Sequence, residues 1–149
     1  EYILFIAMSL WYESYINFPY KHLGQDPVTG IDCFNLCKLV FKNELDITIP
    51  YSTHDFCKIV DDDWYNKTNR QAMLEVSNNG DWEEVDDLEP FDIILMSIGS
   101  TNVVNHCALY LGQGKILQTM ENRNSDIYNY HRYYQQYTVK KVRWKNLKN

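Results

Sequence analysis

The chain is 149 residues long, 45% hydrophobic and 15% aromatic with 12 tyrosines, which fits a single packed domain over residues 1–149 and excludes extensive disorder. Its net charge of −6 excludes non-specific nucleic-acid binding, which depends on Lys and Arg neutralising phosphates. Four cysteines, at 33, 37, 57 and 107, follow no small secreted disulfide framework, and no CxxC or close histidine pair suggests zinc, so they read as reduced thiols with no metal and no cofactor.

The opening run YILFIAMSLW is apolar for about ten residues, short of the ~20 needed to span a bilayer, and it lacks the basic flank of a signal peptide. It reads as a core helix over Tyr2–Tyr15, with Ile3, Ile6, Leu10 and Trp11 inward. Pro19, Gly24, Pro27 and Gly30 then break the chain. Asp32 is a favoured N-cap type, and Phe34, Leu36, Cys37, Leu39, Val40 and Phe41 give the next helix an apolar stripe. Beyond a turn at Pro50, the segment from His54 to Val76 reads as two short helices, because DDD and Asn-Lys-Thr-Asn interrupt its apolar residues. After Gly80 and an acidic loop, Asp81 to Glu89, come four β-rich runs: FDIILMSI, VVNHCALYL, KILQTM and YTVKKVRW. Helices first and strands second predict an α+β domain, its helices packed on one face of an antiparallel β-meander.

Two stretches carry chemistry. In GIDCFNLCKLVF, Cys33 falls in the first helical turn, where unpaired N–H groups and the positive end of the helix dipole favour a thiolate. The competing reading is a small apolar filler, which is what buried cysteines most often are and what Cys37 is expected to be. In VVNHCALYLGQGKILQTM, strand alternation places Val104, His106, Ala108 and Tyr110 on one face and Cys107, Leu109 and Leu111 on the other. A three-residue loop, Gly112 to Gly114, would set Ala108 opposite Gln118 and His106 diagonal to it; a two-residue loop would turn Gln118 to the other face. A helix-start cysteine, a strand histidine and an amide able to hold that histidine follow the logic of a Cys-His-polar triad. His22, in a loop, His54, near a helix start, and His131, among tyrosines, have weaker cases.

At these residues the chain resembles the NlpC-type cell-wall cysteine peptidases, small papain-like enzymes, and in particular the peptidase module of tail-tip proteins from long-tailed bacteriophages. The resemblance runs from about Trp11 to Trp144 and rests on Pro19, Tyr20 and Gly24, on Gly30, Asp32 and Cys33, on Pro90 and Asp92, and on His106, Ala108, Tyr110 and Gly112. It implies a papain-like fold with Cys33 as nucleophile, His106 as general base and Gln118 as the third polar residue. Tyr20 falls where the family lines its site with a tyrosine, and Asp32 and Asn35 complete the residues expected on the substrate side. The implied activity is a cysteine endopeptidase cutting peptide bonds of bacterial peptidoglycan. It implies residence in the virion, at the phage tail tip, acting on the cell wall as the phage enters, beside other tail-tip proteins and with no membrane span. The chain departs from the family in carrying Asn35 where glycine is common, and glutamine where the third residue is most often histidine; Phe34 is compatible with the tail-tip branch. The alternative is a structural tail subunit of the same fold with little or no activity, and a third reading is other acyl-transfer or amidase chemistry.

Overall fold

The computed structural model describes residues 11–56, 72–99 and 103–147. Two short strands, β1 (Gln25–Asp26) and β2 (Gly30–Ile31), form a hairpin leading into the helix α1 (Cys33–Leu45). Short helices α2 (Thr53–Phe56) and α3 (Ala72–Val76) follow, and then strands β3 (Trp82–Glu84), β4 (Ile93–Met96), β5 (His106–Gly112), β6 (Lys115–Met120) and β7 (Arg123–Asn129). A last short helix, α4 (Arg132–Gln136), precedes β8 (Thr138–Trp144). Most of the opening helix expected from sequence lies outside the described residues, and Trp11–Tyr15 is a 3-10 turn. The pair of helices expected between His54 and Val76 corresponds to α2 and α3; what joins them also lies outside the described residues. Among the described residues, no helix is long and apolar enough to cross a membrane.

Helix α1 forms where the sequence places it. The Asp32 carboxylate accepts the Asn35 N–H at 2.8 Å, satisfying one of the helix's orphan donors. Leu36, Cys37, Val40 and Phe41 are buried in one cluster with Leu95, Cys107, Leu109, Leu117 and Val142, so α1 lies on the sheet over β5 and β6. The opposite sheet face is covered as well. There Ile94, Met96, Ala108 and Ile116 pack beneath Tyr134 of α4, with Tyr128, Tyr130 and Tyr137 around it. Two covered faces explain why the β4 run Ile93–Met96 is apolar throughout and shows no alternation.

The sheet order is β3-β8-β4-β5-β6-β7, with every pair antiparallel. Strands β4, β5 and β6 are the first three runs of the expected meander; β7, a strand the sequence did not suggest, continues it, and the fourth expected run is β8. After α4 the chain returns across the sheet, so β8 pairs with both β4 and β3. Two strands escape a reading of the sequence. β3 sits within the acidic loop and is held by Trp82, whose ring meets Trp144 edge-on with centroids 4.9 Å apart. β7 reads RNSDIYN, and as an edge strand with mostly exposed side chains it has little need of an apolar pattern.

Ser125 makes β7 more than a polar edge. It is wholly buried; its hydroxyl donates to the Tyr15 carbonyl at 2.5 Å and accepts the Phe18 N–H at 2.9 Å, while its backbone bonds Asn17 and Phe18. The segment before the β1–β2 hairpin is thereby tied to the sheet. Ser125→Ala strands a buried N–H and a buried C=O, and is expected to lower stability by about 1–3 kcal/mol in urea unfolding.

Candidate active site

The approach to α1 is built by two glycines. A Cβ at Gly24 would lie 2.3 Å from the Gly30 carbonyl oxygen, and one at Gly30, where φ is +141°, would lie 2.3 Å from Lys21 Cβ. Only glycine lets these segments approach so closely. The contact is fixed by the Ile31 N–H donating to the Pro19 carbonyl at 2.8 Å and the Asp32 N–H donating to the Gly24 carbonyl at 3.0 Å. Tyr20 consequently runs alongside Ile31, on the rim above Cys33.

The β5–β6 hairpin is closed by a two-residue turn, Gln113 and Gly114, both at positive φ, with Gly112 paired to Lys115. A bulge between Tyr110 and Gly112 takes up one residue, so Leu109 stands level with Leu117 and Tyr110 with Ile116. The two loop lengths that sequence left open therefore merge: the turn has two residues, and the register is that of the three-residue loop. His106 and Gln118 share a face, and His106 Nε2 lies 2.7 Å from Gln118 Oε1. The amide oxygen can only accept, which assigns the ring proton to Nε2 and leaves the other nitrogen for a thiol.

Cys33 meets this pair at the start of β5. Its thiol is held well below the ordinary range, most of all by the Cys107 S–H hydrogen bond. Burial opposes this, and the hydrogen bond and charge of His106 and the Cys107 N–H add to it. Cys107 moves the opposite way, raised well above its ordinary range by its hydrogen bonds to Cys33 and Cys37 and by burial. Although His106 and Cys107 alternate in direction, both reach Cys33, because His106 is the first residue of the strand. Sequence reading missed Cys107 as a partner; the signal was the packing of α1 on β5, which alternation within one strand cannot show.

Cys33, His106, Tyr20, Ile98, Thr119 and Met120 line a cavity of about 170 Å³. It shares Tyr20 and Glu121 with a second depression, of about 390 Å³, bordered by Lys21, His22 and Arg123. The two depressions meet at Tyr20 and Glu121, beside the thiol. Among the described residues, no group of three or more His, Cys, Asp or Glu side chains could hold a metal ion.

A profile of the NlpC/P60 family matches residues 17–143. The chain belongs to the NlpC/P60 family. The NlpC/P60 domain of the peptidoglycan hydrolase SagA is similar at 18% identity and a TM-score of 0.54, over 88% of this chain and 91% of that one. The P60 domain of an antigen from M. avium subspecies paratuberculosis has 16% identity and a TM-score of 0.55, over 99% and 96%. An NlpC/P60 family protein from Bacillus cereus has 20% identity and a TM-score of 0.58; the match covers 89% of this chain but 37% of that longer one. No curated protein sequence matches the chain significantly. At these identities the likeness establishes the fold, and the α+β papain-like architecture read from the sequence is the one present.

Within this NlpC/P60 domain the six residues singled out from sequence separate into two groups. Cys33, His106 and Gln118 come together, and Tyr20 lines the cavity beside them. Asp32 and Asn35, expected on the substrate side, lie beneath the helix start instead, each 3% exposed and neither lining the cavity. Asp32 accepts the Asn35 N–H and the Thr53 hydroxyl, and Asn35 Nδ2 donates to the Gly24 carbonyl at 2.9 Å. Their polarity serves the turn into α1.

Burial, and secondarily the negative charge on Cys33, pushes Asp32 up to about 8. The folded protein holds this proton where the unfolded chain has released it. The associated stability is thus present below 3.8 and is lost as pH rises through that value to about 8. Asn caps a helix about as well as Asp. Asp32→Asn is therefore expected to fold and to flatten the decline in urea midpoint across this window; an unchanged slope would show that Asp32 is already ionised.

Proposed function

We propose that this protein is a cysteine endopeptidase that hydrolyses peptide bonds of bacterial peptidoglycan, with Cys33 as nucleophile, His106 as acid and base, and Gln118 holding the ring. The observation that carries this reading is a cavity-lining thiol at a helix start beside His106, whose ring Gln118 holds at 2.7 Å. The Cys33 thiolate attacks the scissile carbonyl, and the N–H groups of the first turn of α1, with the helix dipole, offset the charge that develops on oxygen. The protonated His106 ring gives its proton to the leaving amine. The ring then takes a proton from water, which opens the thioester and frees the carboxylate. Gln118 keeps the ring in the tautomer these steps need. The two depressions that meet at Tyr20 offer room for an extended peptide, and the SagA domain, part of a peptidoglycan hydrolase, supports the substrate class.

The finer placement, in a phage tail tip acting on the wall as the phage enters, with other tail-tip proteins as partners, is supported by the Gly30-x-Asp32-Cys33-Phe34 run and the His106 hairpin. The glutamine at 118 favours, as a second reading, a structural tail subunit of the same fold. Incubating the wild type with purified peptidoglycan separates them: the enzyme releases new amino groups. No release from the walls of any plausible host, together with a Cys33 that alkylates no faster than Cys37 or Cys107, would leave the structural reading.

A further inference from the structure

Among the described residues the mechanism uses one thiol of three. Cys33, Cys37 and Cys107 are free, buried and part of one cluster where α1 crosses β5. Cys33 and Cys37 stand one helical turn apart on the same side, and Cys107 rises between them from the strand, its sulfur in hydrogen-bond contact with both. Of the three only Cys33 lines the cavity; Cys107 is 0% and Cys37 1% exposed. A small oxidant arriving through this cavity therefore meets Cys33 first, with Cys107 as its hydrogen-bond partner behind it.

We infer that Cys33 and Cys107 form a reversible disulfide under peroxide, making this pair a modification site that blocks the nucleophile and shields it from irreversible oxidation. In the first step the Cys33 thiolate attacks the peroxide. The O–O bond breaks, sulfur gains an OH as sulfenic acid, the second oxygen leaves as water or an alcohol, and sulfur is oxidised by two electrons. In the second step the Cys107 sulfur attacks Cys33 sulfur; the S–S bond forms, the S–O bond breaks, and the Cys107 proton leaves with the OH as water. The first step prepares the second. The Cys33 charge and the hydrogen bond to it hold Cys107 protonated, and conversion to a neutral sulfenic acid removes that charge. A dithiol reductant returns both thiols.

The test is independent of catalysis. Wild-type protein is treated with hydrogen peroxide, blocked with N-ethylmaleimide, and digested without reduction by chymotrypsin, whose sites at Phe34 and Leu36 separate Cys33 from Cys37. The expected product has lost two hydrogens, carries a Cys33–Cys107 linked peptide, and recovers both thiols with dithiothreitol. Cys107→Ala is expected instead to accumulate oxygen on Cys33, beyond recovery by dithiothreitol. Oxygen on Cys33 with Cys107 still free in the wild type, or a link from Cys33 to Cys37 or Cys57, overturns the proposal. Because wild-type mapping decides alone, a poorly folding Cys107→Ala changes nothing. Failure of this test leaves the peptidase reading intact, and an inactive wild type that forms the link leaves this inference intact.

Discussion

Cys33→Ala is expected to abolish release of amino groups from purified peptidoglycan, and His106→Ala to lower it by about 10²–10⁴-fold. The two form one unit, so the double variant should be no slower than Cys33→Ala alone. Gln118→Ala is expected to be milder, about tenfold, since an unheld ring still samples the productive tautomer. Cys33→Ala removes one heavy atom and should leave the fold intact, and the urea midpoint reads what His106→Ala and Gln118→Ala lose with their bonds to Cys33 and Tyr134. Amino-group release with the urea midpoint as control is the measurement. Equal turnover by Cys33→Ala and wild type would remove the nucleophile assignment.

The largest stability effect is expected far from the thiol, at Arg143 and Asp92. Asp92 is wholly buried at the start of β4, and Arg143 of β8 grips it with two hydrogen bonds, Nε to Oδ1 and Nη2 to Oδ2, each 2.8 Å. The same carboxylate accepts the Glu89 N–H at 2.7 Å, and Arg143 also reaches the Asp87 carbonyl, so one charge pair closes the loop between β3 and β4. Arg143→Met leaves a buried carboxylate with its cation gone. Breaking such a pair from one side costs about 3 kcal/mol or more, which in a chain of this size lowers Tm by roughly 10 °C. Replacing both residues with Asp92→Asn and Arg143→Met should recover part of that loss, because no uncompensated charge remains. A Tm within two or three degrees of wild type for Arg143→Met would mean that solvent already screens the pair.

The parts of this molecule that could be read from the sequence are those set by local rules. Asp32 before an apolar stripe fixed the start of α1, and Gly-Gln-Gly between alternating runs fixed a hairpin that delivers His106 to Gln118. What escaped reading depends on distant partners. Cys107 became a donor to Cys33 only because α1 lies across β5, and β3 and β7 are strands because of what they pair with. Asn35 misled for a related reason: a polar residue beside a nucleophile suggests substrate, but its partner is the Gly24 carbonyl, brought there by two close-packed glycines.

The return of β8 across the sheet has a consequence for how the chain is made. Thr138–Trp144 lies between β3 and β4, although it leaves the ribosome after every other strand among the described residues. Until it arrives, the Ile93–Met96 run keeps one hydrogen-bonding edge unpaired, and Asp92 waits without its cation. The meander from β4 to β7 can form during synthesis from neighbouring segments, but closing the sheet requires a long-range pairing that is slow in entropic terms. A chain halted before Thr138 would therefore hold a nearly complete Cys33 site on a sheet with an open, apolar edge, and would be prone to pair with other copies of itself before it could act.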